Sequence, residues 1–114
     1  MAAAAYNFEI EQGATFSRTF TWKDDAGVAI NITGYTARLQ IRTAFESSST
    51  ILSLTSSSGI TLGGSAGTIV VSVSATDTAA LDPGSYVYDL ELVNGATVTR
   101  LLAGYVEITP EVTR

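Results

Sequence analysis

Apolar and polar residues alternate with a period of two along most of this chain, and the 3.6-residue period of an amphipathic helix is nearly absent. Tyr6, Phe8 and Ile10 share one side of a first predicted strand, with Asn7 and Glu9 on the other. Beyond a break at Gly13, Ala14, Phe16, Phe20 and Trp22 alternate with Thr15, Ser17, Thr19, Thr21 and Lys23. Arg18 interrupts that apolar series; its stem is expected to lie along the sheet while the guanidinium reaches water. Asp24-Asp25-Ala26-Gly27 predicts a turn, after which Val28, Ile30 and Ile32 resume the alternation. Thr33-Gly34 then turns the chain into Tyr35, Ala37, Leu39 and Ile41, opposed by Thr36, Arg38, Gln40 and Arg42. One dry face and one wet face describe a half-buried antiparallel sheet.

The pattern loosens between Thr43 and Ser58, where two serine triplets bracket the apolar run Ile51 to Leu54; a mobile loop and a short strand are expected there. Ile60 and Leu62 precede Gly63-Gly64, and Thr68 to Val73 form a β-branched strand. Ser74 to Leu81 is the one helix candidate, with Ser74 or Thr76 as cap, Asp77 in its first turn and Asp82-Pro83-Gly84 as its stop. Tyr86, Tyr88, Leu90 and Leu92 then alternate with Val87, Asp89, Glu91 and Val93. Asn94-Gly95 predicts a type I′ turn into a return strand over Ala96 to Thr109, with a bulge at Gly104 and an end at Pro110. Seven to eight strands joined by short turns make an all-β fold, and an immunoglobulin-like antiparallel β-sandwich with at most one short helical turn is expected.

The chain is 114 residues long, the size of a single domain, here 1–114 with 1–5 as an N-terminal arm. It is 46% hydrophobic and 15% charged, which argues against disorder. Six Lys and Arg against eleven Asp and Glu give a net charge of −5, so nucleic acid, which demands a basic footprint, is a poor partner. Cysteine and histidine are absent, which removes disulfides, thiol nucleophiles, Ser-His-Asp triads and the usual zinc sites together. No cofactor is expected. No run reaches the roughly 18 to 20 apolar residues of a membrane span. Met1 to Ala5 has neither a positive n-region nor an apolar h-region, so no secretory signal is expected. The sequon Asn31-Ile32-Thr33 is accordingly read as coincidental.

Carboxylates are the abundant titratable groups. Asp89, Glu91 and Glu107 could cluster on neighbouring strands to hold Ca²⁺ or act as an acid/base pair, although a solvated outer face is the expected reading. Asp24-Asp25 lacks the spaced acidic series of a calcium loop. The many Ser and Thr residues have no base beside them, and Lys23 lies in no Ser-x-x-Lys pattern, so no catalytic residue is assigned. Gly63-Gly64-Ser65-Ala66-Gly67 lacks the Lys and following helix of a phosphate loop and predicts a flexible turn. Tyr86, Tyr88 and Trp22 are assigned to the core, whereas Tyr105 alternates with Ala103 and Glu107 and is expected to face outward.

The C-terminal hairpin also carries a likeness. Gly84-Ser85-Tyr86-Val87-Tyr88-Asp89-Leu90-Glu91-Leu92, Asn94-Gly95, Thr99-Arg100-Leu101-Leu102-Ala103-Gly104-Tyr105-Val106 and Pro110-Glu111-Val112-Thr113-Arg114 resemble small structural proteins of tailed-bacteriophage virions. Gln12-Gly13-Ala14-Thr15-Phe16, Asn31-Ile32-Thr33-Gly34-Tyr35-Thr36-Ala37-Arg38 and Ile41-Arg42 extend the likeness over nearly the whole chain. More loosely, it resembles the N-terminal domain of phage upper-baseplate proteins. The resemblance implies a non-enzymatic component of the virion, in the tail, baseplate or fibre-attachment region, made in the host cytoplasm. Its partners would be copies of itself and other virion proteins, without nucleic acid or membrane. Capsid decoration and a carbohydrate-binding module on a tail appendage are the alternatives. Tyr6, Phe8, Ile10 and Tyr105 are the expected interface residues, because a terminal strand offers unpaired N–H and C=O groups to a neighbour.

Overall fold

The computed structural model describes residues 4–113. Two sheets pack face to face. The larger contains β1 (Ala4–Ala5), β2 (Phe8–Glu11), β4 (Thr36–Arg42), β5 (Leu52–Thr55), β8 (Gly84–Asn94) and β9 (Thr97–Thr109), in the order β1-β9-β8-β4-β5 with β2 also on β9. The smaller contains β3 (Phe16–Thr21), β6 (Ile60–Leu62) and β7 (Thr68–Val73), in the order β3-β7-β6. One five-residue helix, α1 (Ala75–Ala79), connects β7 to β8. The expected β-sandwich is what forms. Its strand order is immunoglobulin-like: β3, β7 and β6 stand as B, E and D, and β9, β8, β4 and β5 as G, F, C and C′.

The inner faces follow the alternation. Leu39, Ile41, Leu90, Leu92, Val106 and Ile108 of the larger sheet are buried against Ile69, Val71 and Val73 of the smaller. Each such side chain contributes about 1.5–3 kcal/mol by leaving water. Antibody domains bridge their sheets at this level with a disulfide. Here aromatic rings fill that place: Phe8 lies 4.6 Å from Tyr88 and 5.1 Å from Phe16, centroid to centroid. Tyr86 donates its hydroxyl to the Asp82 carbonyl at 2.7 Å, the tyrosine corner at the start of strand F, and Tyr88 stands two residues on, where an antibody domain has its second cysteine.

The N-terminal arm is an edge of this sandwich. β1 and β2 run parallel to β9, pairing Ala4 with Leu102 and Phe8 through Glu11 with Val106 through Thr109. Between them the chain steps over Gly104. A Cβ there would collide with the Tyr6 carbonyl and the Asn7 side chain, so the close approach requires glycine. The step is secured on both sides: the Tyr88 hydroxyl donates to the Tyr6 carbonyl at 2.7 Å, and Asn7 Oδ1 accepts the Tyr105 N–H at 2.8 Å.

Several local expectations are corrected. The C-terminal hairpin turns on Gly95-Ala96 rather than Asn94-Gly95, because Asn94 still pairs with Thr97. Gly95 at the first central position has φ +60°, which a type II′ turn requires, and Asn94 has no positive φ. The bulge lies not at Gly104 but at Leu101, the extra residue between the pairs Leu90–Leu102 and Glu91–Arg100. That irregularity lets two consecutive leucines, Leu101 and Leu102, both pack toward the core.

Val28 to Ile32 form no strand beyond a Lys23–Ala29 bridge, since the Ile30 and Ile32 N–H groups go to the Trp22 and Gly64 carbonyls. Residues Gly64–Ala66 make a 3₁₀ turn rather than a loose link. Asn31-Ile32-Thr33 is a local Asx turn, with Asn31 Oδ1 accepting from the Thr33 N–H and hydroxyl.

The helix matches its expected cap, Ser74 Oγ accepting the Asp77 N–H. Its Thr78 is fully buried, donating to the Ala14 carbonyl at 2.8 Å and accepting the Gly13 N–H at 3.1 Å, so α1 clamps the turn between β2 and β3. Arg18 follows its expectation: on edge strand β3 its stem lies along the inward side, its guanidinium 4.8 Å over the Phe16 ring, yet the residue stays exposed and donates to the Ser17 carbonyl at 3.0 Å. A charge in that position discourages pairing with another edge.

Candidate functional site

The four residues expected to contact neighbours separate sharply. Phe8 and Ile10 are buried in the domain's own core, because their strand completes the larger sheet through β9, and their assignment to an interface is corrected. Tyr6 is 36% exposed and sets its ring edge-on against Phe20 at 5.1 Å, closing the open side of the sandwich. Tyr105 is 61% exposed on the outer face of the larger sheet. Of the arm 1–5, residues 1–3 lie outside the described residues, and Ala4–Ala5 are β1.

Strand register brings Tyr105 into a patterned surface. Across β4, β8 and β9, one outward row reads Arg42, Val87, Tyr105; the next, Gln40, Asp89, Ala103; and a third, Arg38, Glu91, Arg100. On the other side of the Tyr105 row lie Ser85, Glu107 and, on β2, Glu9. The face is therefore basic toward the hairpin turn, acidic toward the arm, and aromatic between.

The charges are mostly spoken for. Arg38 Nε donates to Glu91 at 2.7 Å, and Arg100 Nε lies 3.4 Å from Asp89. Exposed pairs of this kind contribute at most about 1 kcal/mol each. Burial, and then the neighbouring Glu91, push the Asp89 carboxyl above the usual carboxylate value, while Arg100, Arg38 and Arg42 pull it back. Glu107 instead accepts from Ser85 Oγ, four positions along β8 from Asp89. Among the described residues, no three carboxylates converge on a metal-sized point.

Beside Tyr105 the face dips into a concavity of about 370 Å³, lined by Ala103, Val87, Asp89, Gln40, Arg42 and Phe45 among others. Phe45 walls it from a turn beyond β4 and is 76% exposed. Hydrogen bonds close this turn: the Ser47 N–H donates to the Ala44 carbonyl at 3.1 Å, Arg42 donates to the Ser47 carbonyl at 2.7 Å, and Thr43 and Ser47 share a hydroxyl contact. The Phe45 ring projects into water from this turn. Phe45 and the arginines of the face were missed from sequence, since only the pairing of β4, β8 and β9 brings them to Tyr105.

A second depression, about 520 Å³, lies at the open side of the sandwich among Phe20, Trp22, Leu101 and Leu102. Trp22 Nε1 is buried there without a partner among the described residues. Among those residues no helix is long and apolar enough to cross a membrane. In comparison with known proteins, no family model matches this chain, and no curated protein matches it significantly.

Proposed function

We propose that this protein is a structural component of a tailed-bacteriophage particle, in the tail, baseplate or fibre-attachment region, acting by contact with copies of itself and with other virion proteins. The near full-length resemblance to small virion proteins motivates the reading. The observation that carries it is the outer face of the larger sheet, where Tyr105 and Phe45 stand exposed among paired charges. Exposed aromatic residues with arginines beside them are the composition of protein contact surfaces. Repetition by symmetry would multiply a modest contact. The test is mass spectrometry of purified particles, with gold-labelled antibody to place the chain. Labelled tails support the reading, labelled heads move it to capsid decoration, and absence from particles overturns it.

A glycan-binding module on a tail appendage is the second reading. The concavity favours it, because an aromatic ring beside Asp, Gln and Arg side chains is a surface on which a sugar can stack and hydrogen-bond. A glycan-array signal lost in Tyr105→Ala would select it.

A further inference from the structure

We propose that two copies of this chain pack the outer faces of their larger sheets together about a two-fold axis running crosswise to the strands, between the Ala103 and Tyr105 rows. The inference deepens the contact reading above by naming the surface and the partner. Its ground is the outward series on β9. Moving away from the midpoint between Ala103 and Tyr105, the next outward residues are Arg100 on one side and Glu107 on the other. A two-fold about that midpoint lays each Tyr105 on the partner copy's Ala103 position, large against small, and each Arg100 on its Glu107 position, cation against anion. Self-complementarity of this kind is what an isologous interface demands.

The neighbouring strands agree with that axis. Tyr105 lies across from Val87, and Ala103 from Asp89, so the same line crosses β8 between Val87 and Asp89 and β4 between Arg42 and Gln40. The concavity occupies the Ala103 row, with Phe45 as a wall, and offers a recess of about 370 Å³ for the incoming tyrosine ring. On β8, Glu91 would face the small Ser85 position. The mismatch in this register is Asp89 over Val87, and Asp89 is the carboxylate that Arg100 of its own chain already accompanies.

The smaller sheet lacks this pattern. Its exposed outer positions are Ser17, Thr19, Thr21, Thr61 and Ser72, which offer neither a protruding ring nor opposed charges. A patch four strands wide and four outward rows long covers roughly 500 Å² at sheet spacings. That is below the ~800 Å² per partner of a standard interface, the size of weak, reversible contacts.

Sedimentation velocity of the full chain across micromolar concentrations tests the proposal, with circular dichroism as a check on folding. Wild type should be a reversible monomer–dimer system. Tyr105→Ala should weaken the dimer about tenfold or more. Arg100→Glu and Glu107→Arg should each weaken it by about tenfold, and their combination should restore most of the loss. A wild type that stays monomeric at its solubility limit overturns the proposal, even if Tyr105 then proves to bind a sugar. A dimer indifferent to both charge reversals also overturns it, because the copies must then meet elsewhere. Either failure leaves the particle experiment standing, and absence from particles would leave a measured dimer standing.

Discussion

The two sheets solve the same core problem and present opposite exteriors. Outward positions of the smaller sheet are Ser and Thr almost throughout, with Val70 partly covered. Those of the larger sheet carry three arginines, five carboxylates, Tyr105 and Val98. Hydroxyl-bearing β-branched residues suit a pleated, solvated surface and need no further purpose. Opposed charges and an exposed phenol do not follow from strand propensity. The difference gathers the charged and aromatic side chains on one side of the molecule and leaves the other with hydroxyls.

The largest way to break that contrast is to detach the arm, which brings Glu9 and Glu11 to the larger face. Gly104→Ala forces the chain off β9 at Tyr6 and Asn7 and should cost roughly 2–4 kcal/mol in urea unfolding. An unchanged midpoint would mean that the arm is not held where described. Tyr88→Phe keeps the ring but leaves the part-buried Tyr6 carbonyl without its donor. About 1–2 kcal/mol should be lost, with faster amide exchange in β1 and β2 than in β7. Equal acceleration in both sheets would deny the tyrosine its local role.

How much of this was legible in the sequence depends on whether the signal was local. Alternation in Tyr35 to Arg42 and Tyr86 to Val93 carries its own answer, because one buried face forces period two. The turn at Gly95 was misplaced by one residue, since glycine suits the second central position of type I′ and the first of type II′, and only the Asn94–Thr97 pair decides between them. The doublet Leu101-Leu102 was a visible break in phase that a bulge relieves. Asp82-Pro83-Gly84 reads only as a helix stop and turn, although a tyrosine soon after a Pro-Gly corner could have suggested the hydroxyl contact to Asp82. Tyr105 was legible as the aromatic ring out of phase with the core. Phe8 and Ile10 were not, because alternation marks an apolar face without saying whether the chain itself or a neighbour covers it. Arg38, Arg42 and Phe45 belong to one segment that lies far from Arg100 and Tyr105 in sequence, and register alone joins the two.

Smaller effects sharpen the contrast. Burial, joined by Glu91, raises the Asp89 carboxyl, so the folded chain holds that proton more tightly than the unfolded chain does. Its contribution to stability is therefore greatest in acid and declines as pH rises from the ordinary carboxyl value through the raised one. Thermal melts should show Asp89→Asn gaining on wild type as pH climbs from about 4 to about 7. A constant difference across that range would remove the burial effect. On the smaller sheet, Thr19→Val should change stability by no more than about 0.5 kcal/mol and leave self-association untouched. A weakened dimer in that variant would make the hydroxyl face a participant.

The most direct measurement is residue-level oxidative footprinting of the wild-type chain, dilute and concentrated. Tyr105 and Phe45 should become protected as concentration rises while Phe20 and Trp22 keep their reactivity. Protection confined to Phe20 and Trp22, with Tyr105 and Phe45 unchanged, would contradict the assignment of contact chemistry to the larger sheet.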